Sequence, residues 1–248
     1  MDSDGLDVEG MGRLRPRALY LATGKHELRG ARRVPARPPE GLIGFKLHYA
    51  LAPAEREALR GHVEVLLLLG GYAGLQLVEQ DRANLCLLVR REVFEAAGRT
   101  WPGLAAALGR DCPHLARRLA GAVPLTERPI TIARVPYGYV HVPGPHDPPT
   151  LFRLGDQVGV IPSFCGDGVS IALHSAFAAT ASGSAAEYHT RMRRDLGGQI
   201  GRAGWMYRAG RAAPGLAVQA ARLWPDVLRW AARLTRIPSA ALLPAAPR

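Results

Sequence analysis

Alternating hydrophobic and polar positions dominate the middle of the chain and predict an antiparallel sheet. Every second residue from Ile43 to Tyr49 is apolar, which is the period of a half-buried strand. Three more apolar runs follow, separated by Gly-Gly or Gln-Asp pairs that are typical of hairpin turns. These runs are HVEVLLLL (62–69), GYAGLQLVEQ (71–80) and RANLCLLVRR (82–91).

Helical spacing surrounds this predicted sheet. Short helices or turns are predicted where proline or glycine bounds a polar-apolar repeat, at 53–60, 92–98, 101–110 and 113–122. Two further strands are predicted after them, PITIARVP (129–136) and GYVHVP (138–143). His141 and His146 flank the loop that follows, and a loop histidine is more often solvated than catalytic.

Residues 151–182 carry a different pattern, in which a strand, a loop and a helix follow one another. The strand, 151–154, runs into Gly155 and Asp156, and the helix is predicted over 169–182. The first N–H groups of such a helix lack intrahelical partners and carry the positive end of the helix dipole. A glycine-rich loop before it would let a flat ligand lie against the backbone. The alternative is that Asp156 is an ordinary turn residue.

The remainder of the chain, 184–236, is predicted to be helical. Its last part, 215–236, is amphipathic, with arginines opposite an apolar stripe, and Pro225 divides it into two helices. A basic amphipathic helix can lie on a membrane surface, but the more common arrangement packs its stripe on the parent domain, which we expect here. The stripe comprises Leu216, Ala220, Leu223, Val227, Trp230 and Leu234.

Composition restricts the class of protein. With 248 residues, of which 48% are hydrophobic, the chain can bury a sizeable core. The formal net charge is +11, and all but two of the 32 basic residues are arginine. Because these arginines are scattered, aromatic residues make up only 6% and no nucleic-acid motif occurs, we expect no nucleic-acid partner.

The cysteines and the N-terminal residues indicate a reduced compartment. Cys86, Cys112 and Cys165 are widely spaced, so they suggest neither a disulfide framework nor a zinc site, and we expect no metal. The acidic N-terminal stretch lacks the apolar segment of a signal peptide, and no apolar run is long enough to span a membrane. We therefore expect a cytoplasmic protein.

The stretch GDQVGVIPSFCGDGVSIALHSA (155–176) resembles the second FAD-binding motif of the p-hydroxybenzoate-hydroxylase-like flavoproteins, which include aromatic monooxygenases, flavin halogenases and geranylgeranyl reductases. The resemblance implies that Gly155 and Asp156 hold the ribityl chain of FAD. It also implies that the start of the helix, Gly168, Val169 and Ser170, faces the pyrimidine edge of the flavin. The loop beside the flavin ring would then comprise Pro162, Ser163, Phe164, Cys165, Gly166, Asp167 and Gly168.

A second segment, 17–30, looks like the ATG segment of the same flavoproteins and places Gly24 near the cofactor. The first FAD motif of the family, G-x-G-x-x-G between a strand and a helix, does not occur in the sequence. The chain therefore looks like the C-terminal two-thirds of a flavoprotein. A separate nucleotide-binding segment is expected as a possible partner, besides a small-molecule substrate.

The predicted sheet resembles the substrate domain of these flavoproteins, and Phe45, Tyr72 and Gln76 are its predicted pocket residues. Geranylgeranyl reductases carry Y-x-W-x-F-P at this place, whereas this chain has Tyr72-Ala73-Gly74-Leu75-Gln76-Leu77. Tyr72 matches, but the large apolar residues are absent, which argues against an isoprenoid substrate. The alternative is that Tyr72 is a cross-strand aromatic residue of the sheet.

We therefore predict an α+β protein: an antiparallel substrate-domain sheet plus the C-terminal strand-loop-helix part of a Rossmann-like FAD-binding domain. The predicted regions are 1–30 and 151–190 for FAD binding, 31–150 for the substrate sheet and 191–248 for a helical tail. The predicted function is FAD-dependent oxidation or reduction of a small organic or lipid-like substrate, with no catalytic side chain assigned. The alternative is a non-catalytic remnant, or a split-gene subunit that needs a partner.

Overall fold

The chain folds into two compact units, of which one is an insertion in the other. A computed structural model describes residues 5–36, 41–68, 70–144, 147–224 and 226–242. The inserted unit spans 39–135, and the other unit combines 1–38 with 136–248. The structure thus groups 136–150 with the FAD-motif segment, whereas the sequence placed these residues with the antiparallel sheet.

The inserted unit contains the antiparallel sheet that the alternating pattern predicts. In chain order the unit consists of β4 (Leu42–Ala50), α1 (Pro53–Leu59), β5 (Val63–Leu68), β6 (Gly71–Val78), β7 (Arg82–Arg90), α2 (Arg91–Ala96), α3 (Trp101–Asp111), α4 (Pro113–Arg118), β8 (Val123–Pro124) and β9 (Ile130–Ala133). Its central strands have the order β5-β6-β7-β4, and both β8 and β9 pair with β4.

One face of this sheet forms a hydrophobic core. The alternate residues Phe45, Leu47 and Tyr49 of β4 are buried there together with Leu104 and Leu108 of α3. Cross-strand partners on β6 and β7 bring Leu75 and Leu85 to the same face, because side chains alternate along each strand. The period-2 prediction for this region is therefore confirmed.

The hairpin between β6 and β7 depends on two residues in the left-handed region. Gln80 and Asp81 have φ of 62° and 54° within the three-residue turn 79–81, which joins the paired residues Val78 and Arg82. Arg60 donates to both carboxylate oxygens of Asp81 at 3.1 Å, which holds the turn against α1. The Gln-Asp pair thus forms the turn that the sequence indicated.

The second unit combines a small parallel sheet with long helices. The elements of this unit are β1 (Leu6–Val8), β2 (Gly12–Leu14), β3 (Leu19–Leu21), β10 (Leu151–Arg153), α5 (Gly168–Ala181), α6 (Ala185–Ala212), α7 (Pro214–Leu223), α8 (Asp226–Leu234) and α9 (Ser239–Leu242). Strand β3 pairs in parallel with β10, with Leu19 opposite Leu151.

Helix α6 provides most of the core of this unit. Tyr188, Met192, Leu196 and Ile200 recur at helical spacing and are almost completely buried. They pack against Ile171 of α5 and against residues of β10 and the segment after it. The predicted strand, loop and helix of 151–182 are therefore present.

One prediction about this unit is wrong. Residues 138–143 do not form a strand, since Val140 makes only an isolated bridge with Gly159. A turn at Gly138, with φ of +87°, precedes the bridge. The apolar stripe of the tail packs on the body only in part, since Val227 and Leu234 are half-buried whereas Leu216 and Leu223 are exposed.

A buried group of charges connects β5, α1 and α4 in the inserted unit. Arg118 of α4 is buried and donates to Glu55 at 2.6 Å and to Glu64 at 3.1 Å. His114 Nε2 lies 2.9 Å from Glu64 Oε2. Burial raises the pKa of Glu64, but the hydrogen bonds from Arg118 and His114 outweigh it and leave that pKa below its usual value.

Replacing Arg118 by methionine should strongly destabilise the inserted unit. Methionine retains the aliphatic volume but leaves Glu55 and Glu64 without their shared cation, and breaking a buried ion pair costs about 3–5 kcal/mol. Urea unfolding followed by circular dichroism measures the change. The exposed Arg110→Met is the control and should alter stability by less than about 0.5 kcal/mol. Equal effects of the two substitutions would contradict this role of Arg118.

Candidate functional site

Residues 155–157, here called the GD turn, form a single 3₁₀ turn after β10. Gly155 has φ of +57°, and a Cβ at this position would lie 3.4 Å from the Cβ of Ala172. Its N–H donates to Ser175 Oγ at 2.9 Å, which joins the turn to the middle of α5. The left-handed backbone thus favours glycine here, whereas a Cβ would reach Ala172 only at ordinary contact distance.

The carboxylate of Asp156 remains accessible at this turn. Its side chain is 24% exposed, and Oδ2 lies 3.7 Å from Lys25 Nζ. The Asp156 backbone oxygen, in contrast, accepts a hydrogen bond from Arg33 Nη1 at 2.8 Å. The backbone is therefore held in the protein interior while the carboxylate oxygens can accept hydrogen bonds from a ligand.

Two buried side chains fasten the segment around Gly24 to the GD turn. Gln157 Nε2 donates to the backbone oxygens of Gly24 and His26 at 2.8 and 2.7 Å. Arg33 donates to the backbone oxygen of Lys25 at 2.6 Å besides its bond to the GD turn. The structure therefore brings Gly24 and the GD turn together, as their shared assignment to FAD binding requires.

Arg153 supports this arrangement from the end of β10. It is 2% exposed, and its guanidinium donates to the backbone oxygen of Ala31 at 2.9 Å and to Asp147 Oδ1 at 3.1 Å. Its backbone oxygen accepts from Tyr188 at 2.6 Å. We call Arg33, Arg153 and Gln157 the anchor residues. Sequence reasoning missed them, because long-range polar contacts leave no periodic pattern.

The glycine loop, residues 162–168, leads from the GD turn to α5. Pro162 is buried, whereas Gly166, with φ of +70°, lies at the surface. No heavy atom lies within 4 Å of the position that a Cβ would occupy at Gly166 or at Gly168. Val169 and Ser170, in the first turn of α5, are also exposed. The loop and the helix N-terminus therefore present open backbone.

Asp167 precedes α5 but does not cap it with its side chain. The carboxylate is buried, where Oδ1 accepts from Arg236 Nη1 at 2.8 Å and Oδ2 accepts from Gln199 Nε2. The predicted cofactor contact of Asp167 thus falls on a residue whose side chain is directed into the protein interior. Only its backbone belongs to the open surface of the glycine loop.

Aromatic residues support the first half of the glycine loop. Phe164 stacks on Tyr207 of α6 with a centroid distance of 6.0 Å, and Tyr137 OH lies 2.8 Å from Ser163 Oγ. Burial raises the pKa of the Cys165 thiol to about 11. At neutral pH this cysteine is therefore a protonated thiol and a poor nucleophile.

The predicted pocket residues lie on different faces of the antiparallel sheet. Phe45 is in the helix-covered core, 5.0 Å from the ring of Phe94 and 5.9 Å from that of Trp101. Tyr72 and Gln76 are half-buried on β6 and alternate with the core residues of that strand. Phe45 therefore does not share a face with Tyr72 and Gln76.

Two buried histidines, His141 and His189, lie next to each other beside Arg153 at the end of β10. The rings of His141 and His189 are 4.6 Å apart edge to face, and His189 Nε2 accepts from the Arg153 N–H at 3.3 Å. Burial, followed by the charge of Arg153, lowers the pKa of His189 to about 4. The pKa of His141 is lowered to about 3, first by burial and then by the nearby charges of His189 and Arg153. Both rings are thus neutral at pH 7. His146 lies outside the described residues.

Two features are absent from the part of the chain that the structure describes. Among the described residues, no three His, Cys, Asp or Glu side chains are grouped to hold a metal ion. In the same part of the chain, no helix is both long enough and apolar enough to cross a membrane.

Solved structures of FAD-dependent enzymes share the fold of this chain, which is the fold expected from the sequence, that of the p-hydroxybenzoate-hydroxylase-like FAD-dependent oxidoreductases. The structure of the flavin-dependent brominase Bmp2 superposes with a TM-score of 0.68 at 15% identity, covering 90% of this chain and 58% of that chain. No known family profile matches the sequence, and no curated protein matches it significantly.

Two further solved structures share the fold. PqsL, a probable FAD-dependent monooxygenase from Pseudomonas aeruginosa, matches with a TM-score of 0.53 at 21% identity, over 77% of this chain and 54% of that one. HpxO of Klebsiella pneumoniae, complexed with FAD and uric acid, matches with a TM-score of 0.56 at 18% identity, over 82% and 54%. The chain thus spans little more than half the length of these proteins.

Replacing Gln157 by leucine should loosen the segment around Gly24. The substitution keeps the side-chain volume but removes the donor to two backbone oxygens, and unsatisfied acceptors cost about 1–3 kcal/mol. Hydrogen exchange should show faster exchange of amides in 23–33. The control Gln219→Leu, on an exposed position of α7, should leave these amides unchanged. Unaltered exchange in the Gln157 variant would mean that Arg33 alone holds the segment.

The histidine pair should make the protein acid-sensitive. Because the folded-state pKa values of His141 and His189 lie below the usual 6.5, their contribution is complete above pH 6.5 and is lost as pH falls toward 4. Each histidine should contribute a slope of up to about 1.4 kcal/mol per pH unit between these values. Urea unfolding at pH 7.5, 5.5 and 4.5 measures this slope.

A substitution isolates the contribution of one ring. His189→Gln keeps an acceptor for the Arg153 N–H but cannot take up a proton, so it should reduce the slope. The exposed His62→Gln is the control and should retain the full slope. Identical slopes in all three proteins would assign the acid sensitivity to other groups.

Proposed function

We propose that this chain is the flavin-facing part of an FAD-dependent oxidoreductase that acts on a small organic or lipid-like substrate. The observation that carries the proposal is the pairing of the accessible Asp156 carboxylate with an open glycine loop at the start of α5. The shared fold with flavin-dependent enzymes supports it.

The residues present fit the ribityl and flavin part of FAD. Asp156 offers carboxylate oxygens to ribityl hydroxyls, and the anchor residues fix its backbone. The surface at Gly166 and Gly168 carries no side chain that would block a flat ring. The N–H groups of Gly168 to Ser170 supply the positive end of the α5 dipole, which stabilises negative charge on a reduced ring.

When bound, FAD would supply the two-electron redox chemistry, and the protein would bind and orient the reactants. The side chains of the glycine loop offer no acid or base at neutral pH: Cys165 is protonated, and Asp167 is paired with Arg236 inside the protein. The loop therefore contributes backbone N–H groups and shape to the site. We assign no catalytic side chain.

The open face of the antiparallel sheet suits a small substrate with one polar end. Across the sheet, Gln76 of β6 is paired with Asn84 of β7, and Tyr72 is paired with Leu88. This register places a polar pair and an apolar pair on the same face, four residues apart along each strand. Gly74 lies between them, so the face has space where geranylgeranyl reductases carry tryptophan. We therefore favour a compact substrate over an isoprenoid chain.

A second candidate is a subunit that needs a partner to supply the nucleotide-binding segment. The observation that favours it is the exposed apolar stripe of α5, in which Val169 and Phe177 are 73% and 75% exposed and Leu173 is also exposed. Large exposed apolar patches mark interaction sites. In this case the chain is active only in complex. A chain that binds no flavin even in complex would be a non-catalytic remnant.

Binding of FAD to this chain alone should be weak, because the sequence lacks the G-x-G-x-x-G fingerprint that holds the pyrophosphate. Losing two charge-assisted hydrogen bonds, each worth about 1.5–3 kcal/mol, weakens binding on the order of a hundredfold or more. FAD and riboflavin should therefore bind with similar affinity in isothermal titration. Co-expression with a nucleotide-binding segment should raise FAD affinity selectively.

The Asp156→Ala variant tests the site itself. It should lower riboflavin affinity by about tenfold or more, since it removes a charged acceptor. Asp7→Ala, on an exposed position of β1, is the matched control and should bind like the unaltered chain. Riboflavin affinity that is unaffected by Asp156→Ala would refute the assignment. Sub-micromolar binding of FAD with weak binding of riboflavin would reveal an adenosine site elsewhere in the chain.

A further inference from the structure

Helices α7 and α8 expose large apolar side chains to solvent, although side chains of this kind are usually buried against the rest of a protein. Leu223 is 87% exposed and Trp224 is 65% exposed at the end of α7, and Trp230 of α8 is 58% exposed. In α8, Val227 and Leu234 are half-buried, so this helix contacts the protein body along one narrow edge. The remaining apolar surface faces solvent.

A groove of about 410 Å³ opens among these exposed residues. Its lining combines two indole rings with two guanidinium groups, and consists of Trp224, Asp226, Val227, Arg229, Trp230 and Arg233. Asp226 pairs with Arg229 at 2.8 Å and is the sole acidic residue in the sequence of 214–236, which contains four arginines. The groove is therefore both apolar and positively charged. We call the exposed residues of α7 and α8 the tail surface.

We propose that the tail surface binds the surface of anionic lipid bilayers, with α7 and α8 lying in the plane of the membrane interface. Tryptophan is enriched at the boundary between lipid headgroups and acyl chains, where an apolar ring can be buried beside polar groups. Arginine beside it reaches the headgroup phosphates while its methylene groups remain in apolar contact. An amphipathic helix with these residues is the usual interfacial element.

Charge selects this partner over a second copy of the chain. A two-fold contact through the tail surface would bring Arg229 and Arg233 of one copy against the same patch of the other, where like charges repel. The formal net charge of +11 acts in the same direction. An anionic bilayer instead gains from every arginine near its surface.

The aliphatic residues select a bilayer over a nucleic acid. Leu216 and Leu223 of α7, seven residues apart and therefore on one side of the helix, are exposed as the tryptophans are. Nucleic-acid bases bind to flat aromatic side chains by stacking, and aliphatic side chains offer no such surface. An acyl-chain boundary, in contrast, buries leucine and tryptophan alike. Membrane binding through the tail surface does not depend on whether the chain binds a flavin.

Vesicle co-flotation of the full chain tests the proposal. Vesicles of phosphatidylglycerol and phosphatidylcholine should bind the protein at least tenfold more tightly than vesicles of phosphatidylcholine alone. Binding should weaken several-fold between 50 and 500 mM salt, since charge attraction is screened. Quenching of tryptophan fluorescence by lipids brominated on the acyl chains should show that indole rings enter the interface.

Two double variants separate the apolar and the charged contributions. Trp224→Ser with Trp230→Ser should reduce binding at least tenfold and remove most of the quenching. Arg229→Gln with Arg233→Gln should reduce binding to anionic vesicles about tenfold and flatten the salt dependence. The matched control, Arg110→Gln with Arg128→Gln, removes the same charge from exposed positions of the inserted unit and should bind within about twofold of the unaltered chain.

Several outcomes would overturn the proposal. They are no binding to anionic vesicles, equal binding to both vesicle types, or equal losses in the control and the arginine variant. Self-association in sedimentation that the tryptophan variant abolishes, without vesicle binding, would show that the tail surface joins copies of this chain. Retention of a nucleic acid in place of vesicles would identify that partner instead. Circular dichroism verifies folding, and the arginine variant alone decides if the tryptophan variant is unfolded.

Discussion

The positioning of the GD turn depends on hydrogen bonds between residues that are far apart in sequence. Arg33 and Gln157 join segments that are separated by 123 and 133 residues, and both side chains are buried. The parallel pair β3–β10 consists of two three-residue strands, and a sheet of this size is too small to be stable by itself. The long-range hydrogen bonds of the anchor residues supply the additional connection between these segments. The anchor residues therefore define where Asp156 lies, although none of them contributes the carboxylate itself.

The two ends of the glycine loop are fixed in different ways, and this division explains its open middle. Aromatic contacts to Tyr207 and Tyr137 hold the first half, whereas buried Asp167 ties the second half to Arg236, just after α8. Between them, a Cβ at Gly166 or Gly168 would meet no side chain within 4 Å. The helical tail thus supports the loop from inside, so the tail contributes to the geometry of the candidate site as well as to an outer surface.

Sequence periodicity predicted the parts of the fold that repeat locally. The alternation from Ile43 to Tyr49 marked a sheet face because adjacent strands are joined by short turns, and the GD-loop-helix order marked the candidate site. The pattern could not predict that Phe45 lies on the helix-covered face of the sheet and Tyr72 on the opposite face. Alternation separates the two faces of a strand, but it does not indicate which face the helices cover. It also missed the anchor residues, whose contacts have no repeat, and the exposure of Leu223, which depends on what the tail packs against.

The insertion of one unit inside the other has a consequence for the order of folding during synthesis. The inserted unit is continuous in sequence and rich in hairpins, so its contacts can form as soon as it leaves the ribosome. Strand β3 emerges earlier, but it must remain unpaired until β10 has been made. Closing this long loop adds only a modest free-energy cost, since the cost grows logarithmically with length. The late synthesis of β10 therefore delays the pairing of β3 without strongly destabilising the folded state. During this delay, the apolar strand β3 can bind chaperones or pair incorrectly with other strands.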